Sequence, residues 1–541
     1  MDSELPVSAF SQALETCENC GRVIGRLEQP YIFREHVVCF SCWQAIWQAA
    51  EPTLVPFNSL AASNGSASRT DSQNNLFEVA VESDQPPVAD IPSLLERSQA
   101  GDAQAMTVLA DSYARGHGVP QSDQDAFGWY LRAAENAVPA AMLNVAECFE
   151  TGRGTGADPA AAATWYERAH RAGSSVAAIR IGRMYETGRG LRQDFSKALA
   201  WYQNAAAADN TDAMNHIGMM YDLGHGVKPD SDRAMEWYLK AAQHGHAGAM
   251  TNLGLAYHRG YQRGGQDFAR AMSWYQNAAA AGDLPAMVNI GTMYEHGHGV
   301  QRDYDMAMVW YQRAATRGSA DAMAYIGSLY EQGWGVSQDF QQAMEWYRNA
   351  VAAGSVDAMA AIGCMYWAGA GTPPDPEKAL GWLTKAAHGG SALGMWNLAL
   401  LYERGEAVEC SYGKAVEWYV RAADLGDTDA MCRIGLLYEK GGPELVRDLR
   451  RARQWFQRAS VAGDGNAMFL MGYFHATGKA VRMDYMEALA WYMRAAEAGN
   501  ILAMRQVAAF YERGLGVRRS EREALRWHRM AIDAQEAAEP A

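Results

Sequence analysis

The stretch Trp201-Tyr202-Gln203-Asn204-Ala205-Ala206 recurs unchanged at residues 274–279. Variants of this phrase follow one another along most of the chain, with tryptophans spaced by 36 residues in nine intervals and by 37 in two. These tryptophans are Trp129, Trp165, Trp201, Trp237, Trp274, Trp310, Trp346, Trp382, Trp418, Trp455, Trp491 and Trp527. A fixed period of about 20 to 50 residues is typical of a solenoid, in which each repeat packs on its neighbours. The spacing therefore predicts twelve stacked units.

The first half of each unit has the periodicity of a helix. In one unit, Met214, Ile217, Gly218 and Tyr221 are spaced as a single buried face. Glycine or alanine stands at the Gly218 position in every unit, although glycine inside a helix costs about 1 kcal/mol relative to alanine. We therefore expect another helix to approach closely at this point. The Gly-x-Gly at residues 224–226 follows this helix, which indicates a helix C-cap and turn rather than a phosphate-binding loop.

The second half of each unit predicts a second helix. Ala234, Trp237, Tyr238 and Ala241 share one face of it. We expect the tryptophans to be core residues, since burying one removes roughly 200 Å2 from water and contributes at most about 5 kcal/mol. Three units depart from the pattern after their first helix, which predicts altered turns on intact repeats. These departures lie at residues 260–265, 405–407 and 441–445.

The complete unit resembles the Sel1-like repeat, a relative of the tetratricopeptide repeat. Its pattern is Asp-Ala-Met-x-x-Ile-Gly-x-x-Tyr-x-x-Gly-x-Gly-Val, then about five residues, then Ala-x-x-Trp-Tyr-x-x-Ala-Ala-x-x-Gly. It stands nearly complete at residues 212–245, 285–318 and 321–354. The resemblance implies an all-α fold, an α-solenoid superhelix of about twelve helix-turn-helix repeats over residues 103–534. With a capping helix at 91–102 and a short tail, we expect the solenoid to occupy residues 91–541.

A row of variable positions gives the candidate binding site of the array. In relatives of this repeat the first helices line a concave groove, so the residue two positions after the methionine would point into it. Asparagine could bond an extended peptide backbone there, and arginine could bind a carboxylate. The alternative is that the asparagines bond their own neighbours. The row consists of Asn144, Arg180, His216, Asn252, Asn289, Tyr325, Asn397 and Arg433.

A separate small module is predicted at residues 1–50. Cys17 and Cys20 form one Cys-x2-Cys pair, and Cys39 and Cys42 form another 18 residues later. Two such pairs are typical of structural zinc with four protein ligands. Short strands at 22–27 and 31–33 and a helix after the second pair would complete a treble clef, a β-hairpin and helix around the metal. The segment 36–42 also resembles the middle of a LIM finger, which leaves His36 as an alternative ligand to one cysteine.

Composition separates this module from the array and limits its partners. Residues 51–90 are rich in small and polar residues, which predicts a flexible linker. The formal net charge of −15, from 47 basic and 62 acidic residues, makes nucleic acid an improbable partner, since nucleic-acid binding normally needs a basic surface. The chain shows no secretory signal and no run of 18 apolar residues, so we expect a cytoplasmic protein without a membrane span.

The sequence contains no recognisable catalytic motif. It lacks a glycine-flanked nucleophilic serine, a zinc-protease histidine pair and a P-loop. Histidines at 296 and 298 lie in a predicted turn, and the array's four cysteines occupy different repeat positions, which favours free thiols. The sequence thus predicts a non-enzymatic adaptor that binds a polypeptide partner in its groove, with zinc as a structural cofactor. The alternative is a regulator whose zinc module contacts nucleic acid while the repeats serve as an assembly scaffold.

Overall fold

The computed structural model describes residues 30–33, 36–39, 90–261 and 265–538. Within them the chain forms 25 helices and one two-stranded hairpin. The first helix, α1, is Ile91–Gln99, shorter than the predicted 91–102. The helices of residues 103–319 are α2 Ala103–Arg115, α3 Asp123–Glu135, α4 Pro139–Thr151, α5 Pro159–Arg171, α6 Ser175–Thr187, α7 Phe195–Ala206, α8 Thr211–Leu223, α9 Ser231–Gln243, α10 Ala247–Arg259, α11 Phe268–Ala280, α12 Leu284–His296 and α13 Tyr304–Ala315.

The remaining helices continue the same alternation. They are α14 Ala320–Gln332, α15 Phe340–Ala352, α16 Val356–Ala368, α17 Pro376–His388, α18 Ala392–Arg404, α19 Tyr412–Asp424, α20 Thr428–Lys440, α21 Leu449–Val461, α22 Gly465–Thr477, α23 Tyr485–Glu497, α24 Ile501–Arg513 and α25 Glu521–Ala538. Even-numbered helices are the first helices of the twelve repeats and odd-numbered helices from α3 onwards are the second. The three departures from the pattern leave helices of ordinary length on both sides, which confirms that they are altered turns.

The helices fall into two compact units that divide between Ser319 and Ala320. Within each unit, a first helix packs against the second helix of its own repeat, and that second helix packs against the first helix of the next repeat. Helix α1 packs against α2 at the start of the first unit. This sequential packing is that of the predicted all-α solenoid.

In most first helices that carry a glycine at this position, the glycine makes room for an aromatic ring. A Cβ atom built on Gly291 would lie 2.4 Å from Cε1 of Tyr311, the tyrosine of the Trp-Tyr phrase in the same repeat. Gly182 stands in the same relation to Tyr202, at 2.6 Å. The close approach predicted from the recurring glycine is therefore confirmed, and its partner is the tyrosine.

The tryptophans of the phrase are not the core residues that the sequence analysis expected. Eleven of the twelve are only partly buried, and Trp527 alone is buried. The adjacent tyrosines are buried instead, with Tyr202, Tyr275 and Tyr311 fully so. The apolar contribution of roughly 4 to 6 kcal/mol at most per aromatic side chain thus belongs mainly to the tyrosines.

Many of the tryptophans carry a cation on the exposed side of the ring. An arginine or lysine three residues later on the same helix places its charged group 4.3 to 5.1 Å from the ring centroid, which is a cation–π contact. The pairs are Trp129–Arg132, Trp165–Arg168, Trp237–Lys240, Trp310–Arg313, Trp382–Lys385, Trp418–Arg421, Trp455–Arg458 and Trp491–Arg494. These tryptophans therefore pack on one side and bind a cation on the other.

The turns within the repeats follow the predicted C-cap chemistry. Gly224 ends α8 in the left-handed conformation with φ of 71°, where glycine carries no Cβ penalty. The second glycine of the pair, Gly226, also has a positive φ and lies against Phe195 of the preceding repeat, leaving no space for a side chain. The Gly-x-Gly segment is thus a turn that also allows close contact with the preceding repeat.

The N-terminal hairpin differs from the predicted one. Strand β1, Pro30–Phe33, pairs antiparallel with strand β2, His36–Cys39. The sequence predicts strands at 22–27 and 31–33 around a turn at Pro30, whereas Pro30 begins β1, and residues 22–27 lie outside the described residues. Three of the predicted zinc ligands, Cys17, Cys20 and Cys42, lie outside the described residues, as does the linker, so the zinc site remains a prediction.

Candidate partner-binding face of the first helices

All eight residues of the predicted groove row lie on first helices, two positions after the methionine or its equivalent. We call the side of the first helices that carries them the first-helix face. Six of them are partly buried and two are buried. The partly buried ones are Asn144 in α4, Arg180 in α6, His216 in α8, Asn252 in α10, Asn289 in α12 and Tyr325 in α14, and the buried ones are Asn397 in α18 and Arg433 in α20.

Asn252 bonds a neighbouring repeat. Its Nδ2 donates to Oδ1 of Asn215 at 2.9 Å, which joins α10 to α8. The alternative that these asparagines bond their own neighbours therefore holds for Asn252. Its remaining amide oxygen and half-exposed position still leave a polar group on the first-helix face.

Asn397 and Arg433 are both buried. Asn397 has no exposed area, and its Nδ2 donates to Sγ of Cys364 at 3.3 Å. Arg433 binds Glu403 of the preceding repeat through two nitrogens, with Nε donating to Oε2 at 3.0 Å. The arginine does bind a carboxylate as its chemistry suggested, but the carboxylate is internal. Neither side chain is available to a partner in this structure, which corrects their place in the predicted row.

The carboxylate that binds Arg433 belongs to a second row, which the sequence analysis missed. In several repeats a glutamate near the end of the first helix accepts a hydrogen bond from the buried tyrosine of the second helix, 16 residues later. The hydroxyl-to-Oε2 distances are 2.7 Å for Tyr166–Glu150, 2.6 Å for Tyr202–Glu186, 2.6 Å for Tyr311–Glu295, 2.6 Å for Tyr347–Glu331 and 3.1 Å for Tyr419–Glu403. The signal was present in the sequence as a glutamate four residues after the helical glycine or alanine.

A basic side chain from the next repeat often completes this carboxylate row. It comes either from the variable position of the first helix or from the residue after the first turn glycine. The pairs besides Arg433–Glu403 are His216–Glu186 at 3.8 Å, Arg189–Glu150 at 4.0 Å and Lys479–Glu439 at 2.8 Å. His216 also stacks on Tyr202 with centroids 4.8 Å apart, and burial lowers its pKa despite the attraction of Glu186.

Where the carboxyl group is deeply buried, its proton affinity rises. Burial raises the pKa of both Glu295 and Glu331, while the hydrogen bond from Tyr311 or Tyr347 opposes the increase. Glu295 has only 3% of its surface exposed. These carboxylates are structural groups between helices, because their tyrosine partners have no exposed surface from which a substrate could approach.

The described residues give no arrangement with catalytic character. A cavity of about 400 Å3 in the third repeat is lined by Tyr185, Arg192 and Asp194 among others, but Asp194 caps α7 and binds Lys197. No group of three or more His, Cys, Asp or Glu in the described part of the chain is arranged to hold a metal. Burial raises the pKa of the Cys148 thiol to about 11, which makes it a poor nucleophile.

The four described array cysteines are free thiols, as predicted. Cys364 and Cys432 are buried, and Cys148 and Cys410 are partly buried. Over residues 90–261 and 265–538, no helix combines the length and apolar composition that a membrane crossing requires.

Comparison with known families supports the repeat assignment. The Sel1 repeat model matches this chain twelve times, and the chain therefore belongs to the Sel1 repeat family. Proteins of this family are generally protein-interaction scaffolds. The matched residues are 103–138, 139–174, 175–210, 211–246, 247–283, 284–319, 320–355, 356–391, 392–427, 428–464, 465–500 and 501–535.

Several solved structures resemble the chain. A protective antigen of uropathogenic Escherichia coli with an SLR fold is 28% identical, covers 83% of this chain and 90% of its own, and has a TM-score of 0.41. A Sel1 repeat protein from Oxalobacter formigenes is 31% identical, with 56% and 86% coverage and a TM-score of 0.37. An immunity protein from Pseudomonas aeruginosa is 19% identical, with 40% and 81% coverage and a TM-score of 0.29. Comparison with curated proteins gave no match.

Proposed function

We propose that this Sel1 repeat protein is a non-enzymatic, cytoplasmic adaptor that binds a polypeptide along the first-helix face. The observation that carries this proposal is the row of half-exposed polar side chains on the first helices of residues 90–319. Asn144, Arg180, Asn252 and Asn289 occupy equivalent repeat positions there, and each keeps polar atoms that can bond a peptide backbone or a carboxylate. The predicted zinc module would supply a second contact.

The partner should reach these side chains without disturbing the helix packing. Among the described residues, no carboxylate lies at ion-pairing distance from Arg180, and Asn144, Arg180 and Asn289 are not core residues, unlike Arg433. A partner that bonds them would replace water rather than an internal ion pair, and so would avoid the cost of breaking a buried pair, which is several kcal/mol. We therefore place the first contact in residues 90–319.

The proposal can be tested with a triple variant, Asn144→Ala, Arg180→Ala and Asn289→Ala. Partners captured by the full chain and by residues 91–541 would first be identified by mass spectrometry. Binding of the purified partner to the triple variant should then fall at least tenfold, with unchanged helicity by circular dichroism. A matched control replaces three exposed second-helix residues by alanine: Asn204, Glu236 and Gln276. Equal partner binding by both variants would remove the first-helix face from the proposal.

The full chain and residues 91–541 also separate the zinc module from the array. A partner captured only by the full chain requires residues 1–90, and zinc content near one atom per chain would support Cys17, Cys20, Cys39 and Cys42 as ligands, with His36 as the alternative. Binding of nucleic acid by the full chain that weakens steeply with salt would instead favour the alternative regulator.

A further inference from the structure

Repeats five and six meet through three histidines. His258 lies in α10, His296 ends α12, and His298 lies in the turn after α12. The His258 and His298 ring centroids are 5.0 Å apart, and those of His296 and His298 are 5.5 Å apart. We call these three residues the histidine joint.

In other repeats, the positions of His258 and His298 hold a carboxylate and a cation, which attract each other. His258 stands four residues after the helical glycine, where Glu150, Glu186 and Glu403 stand in their repeats. His298 follows the first turn glycine, at the position from which Arg189 pairs with Glu150 and Lys479 pairs with Glu439. A carboxylate beside a cation has thus become an imidazole beside an imidazole. Protonation of both rings would place two like charges at the contact.

The surroundings of the joint are aromatic. Phe268 of α11 stacks on His298 at 5.2 Å and contacts His258 edge-on at 5.1 Å. Tyr275 of α11 lies 6.5 Å from His258 between centroids, and its buried hydroxyl has no hydrogen-bond partner among the described residues. In the other repeats described above, that hydroxyl bonds the glutamate that His258 replaces.

Few charged groups act on the joint. Arg259, the next residue of α10, repels a proton from His258, and Glu295 of α12 faces His296. Among the described residues, no carboxylate acts on His258 or His298. Burial, followed by the neighbouring His298, lowers the pKa of His258 to about 4, and burial lowers that of His298.

We propose that the histidine joint makes the packing of repeats five and six pH-sensitive, tight when the imidazoles are neutral and loosened in acid. The joint is a regulatory device that goes beyond the proposed function, since it concerns packing between repeats rather than the first-helix face. The direction of the pH effect on stability follows from proton linkage. His258 in the unfolded chain takes up a proton near pH 6.5, whereas in the folded chain it does so only near pH 4. The folded form therefore binds fewer protons between these values, and its stability falls as the pH decreases from about 6.5 towards 4.

The size of the effect follows from the same two pKa values. At pH 5.0, His258 alone should favour local opening by about 30-fold relative to pH 7.5. Amide hydrogen exchange of the intact chain, corrected for intrinsic rates, measures this opening directly. Protection factors in peptides from α10 to α12 should fall by about this factor, while peptides from α4 to α7 change much less. An equal change in both regions would overturn the proposal.

Two substitutions at one position distinguish this effect from general acid denaturation. His258→Gln removes the titrating group, and His258→Glu restores the carboxylate found in other repeats, with Tyr275 and His298 as its neighbours. Both variants should lose the local decrease in protection at pH 5.0 while retaining wild-type helicity at pH 7.5. The control is His117→Gln. His117 occupies in the first repeat the turn position that His298 occupies in repeat six, and this variant should keep the full decrease in protection. A wild-type decrease in His258→Glu would refute the joint.

Discussion

The hydrogen bond between Tyr311 and Glu295 can be tested against a natural control in the adjacent repeat. Tyr311→Phe removes only the hydroxyl that donates to Glu295 Oε2 at 2.6 Å. Glu295 has 3% of its surface exposed, so water does not readily replace the lost donor. A hydrogen bond to a charged group contributes about 1.5 to 3 kcal/mol, which predicts a loss of about 2 kcal/mol in local stability.

The control is Tyr275→Phe. Tyr275 is equally buried, and it packs on Gly254 as Tyr311 packs on Gly291, with prospective Cβ distances of 2.5 and 2.4 Å to Cε1. Its hydroxyl has no hydrogen-bond partner, because His258 stands where a glutamate would be. Removing an unsatisfied buried hydroxyl should leave local stability unchanged or increase it by up to about 1 kcal/mol. The two substitutions delete the same atom from the same environment apart from its acceptor.

Amide exchange is the suitable assay, because repeat arrays open locally and a single unfolding midpoint would average over units. A loss of about 2 kcal/mol corresponds to about a 30-fold decrease in protection factor for α12 and α13 in Tyr311→Phe. Peptides from α10 and α11 in Tyr275→Phe should show no decrease. Comparable losses in both variants would mean that the aromatic hydroxyl contributes through packing, and the carboxylate row would lose its structural role.

Three further predictions concern the glycine contact, a buried carboxyl group and the metal. Gly291→Ala should destabilise its repeat by about 1 to 3 kcal/mol as measured by amide exchange of α12 and α13, because the new Cβ overlaps Tyr311, whereas Gly128→Ala, with nothing within 4 Å, should be neutral or stabilising. Burial raises the pKa of Asp427 to about 6, with a smaller contribution from Asp429, so stability present below about pH 4 is lost as the pH rises through 6. Asp427→Asn should therefore raise the stability of its repeat at pH 7.5 by at most about 3 kcal/mol and flatten its pH dependence, as amide exchange of α20 would reveal. Chelation should remove zinc from the predicted cysteine site without reducing far-ultraviolet helicity, and a large helicity loss would contradict the separate module.

The period of the sequence was sufficient to predict the helices because the residues that pack and end each helix recur with the same period. Gly224 marks a helix end in the left-handed conformation, and the glycine at 218 predicts a close approach that the Tyr238 ring makes. The period could not decide between Trp237 and Tyr238 as the buried residue. Adjacent residues on a helix differ by about 100° in direction, so both bordered the same apolar face. The position of the opposing glycine decides which of the two is buried, because only the tyrosine is placed to pack its flat ring against that glycine.

The candidate binding row was less predictable because exposure depends on the neighbours of each repeat. Asn144 and Asn397 occupy the same repeat position, yet one is half-exposed and the other is buried against Cys364. Arg180 and Arg433 differ likewise. Each follows a glutamate of the preceding repeat by 30 residues, but Arg433 bonds its glutamate, Glu403, whereas Glu150 pairs with Arg189 instead of Arg180. A single repeat pattern cannot encode these differences. They arise from pairs of residues in adjacent repeats.

Some repeats depart from the tyrosine–glutamate pattern. What a departure implies depends on whether both residues of the pair are replaced or only one. In repeat eight, Trp367 stands in place of the glutamate and Leu383 in place of the tyrosine, so no buried hydroxyl is left without an acceptor. In repeat five only the glutamate is replaced, and the hydroxyl of Tyr275 is left unsatisfied. An unsatisfied buried hydroxyl costs about 1 to 3 kcal/mol, which a neutral apolar replacement such as Phe at 275 would have avoided. The paired change therefore leaves no unsatisfied group, whereas the change at His258 alone leaves the hydroxyl of Tyr275 without an acceptor among the described residues, which packing does not explain.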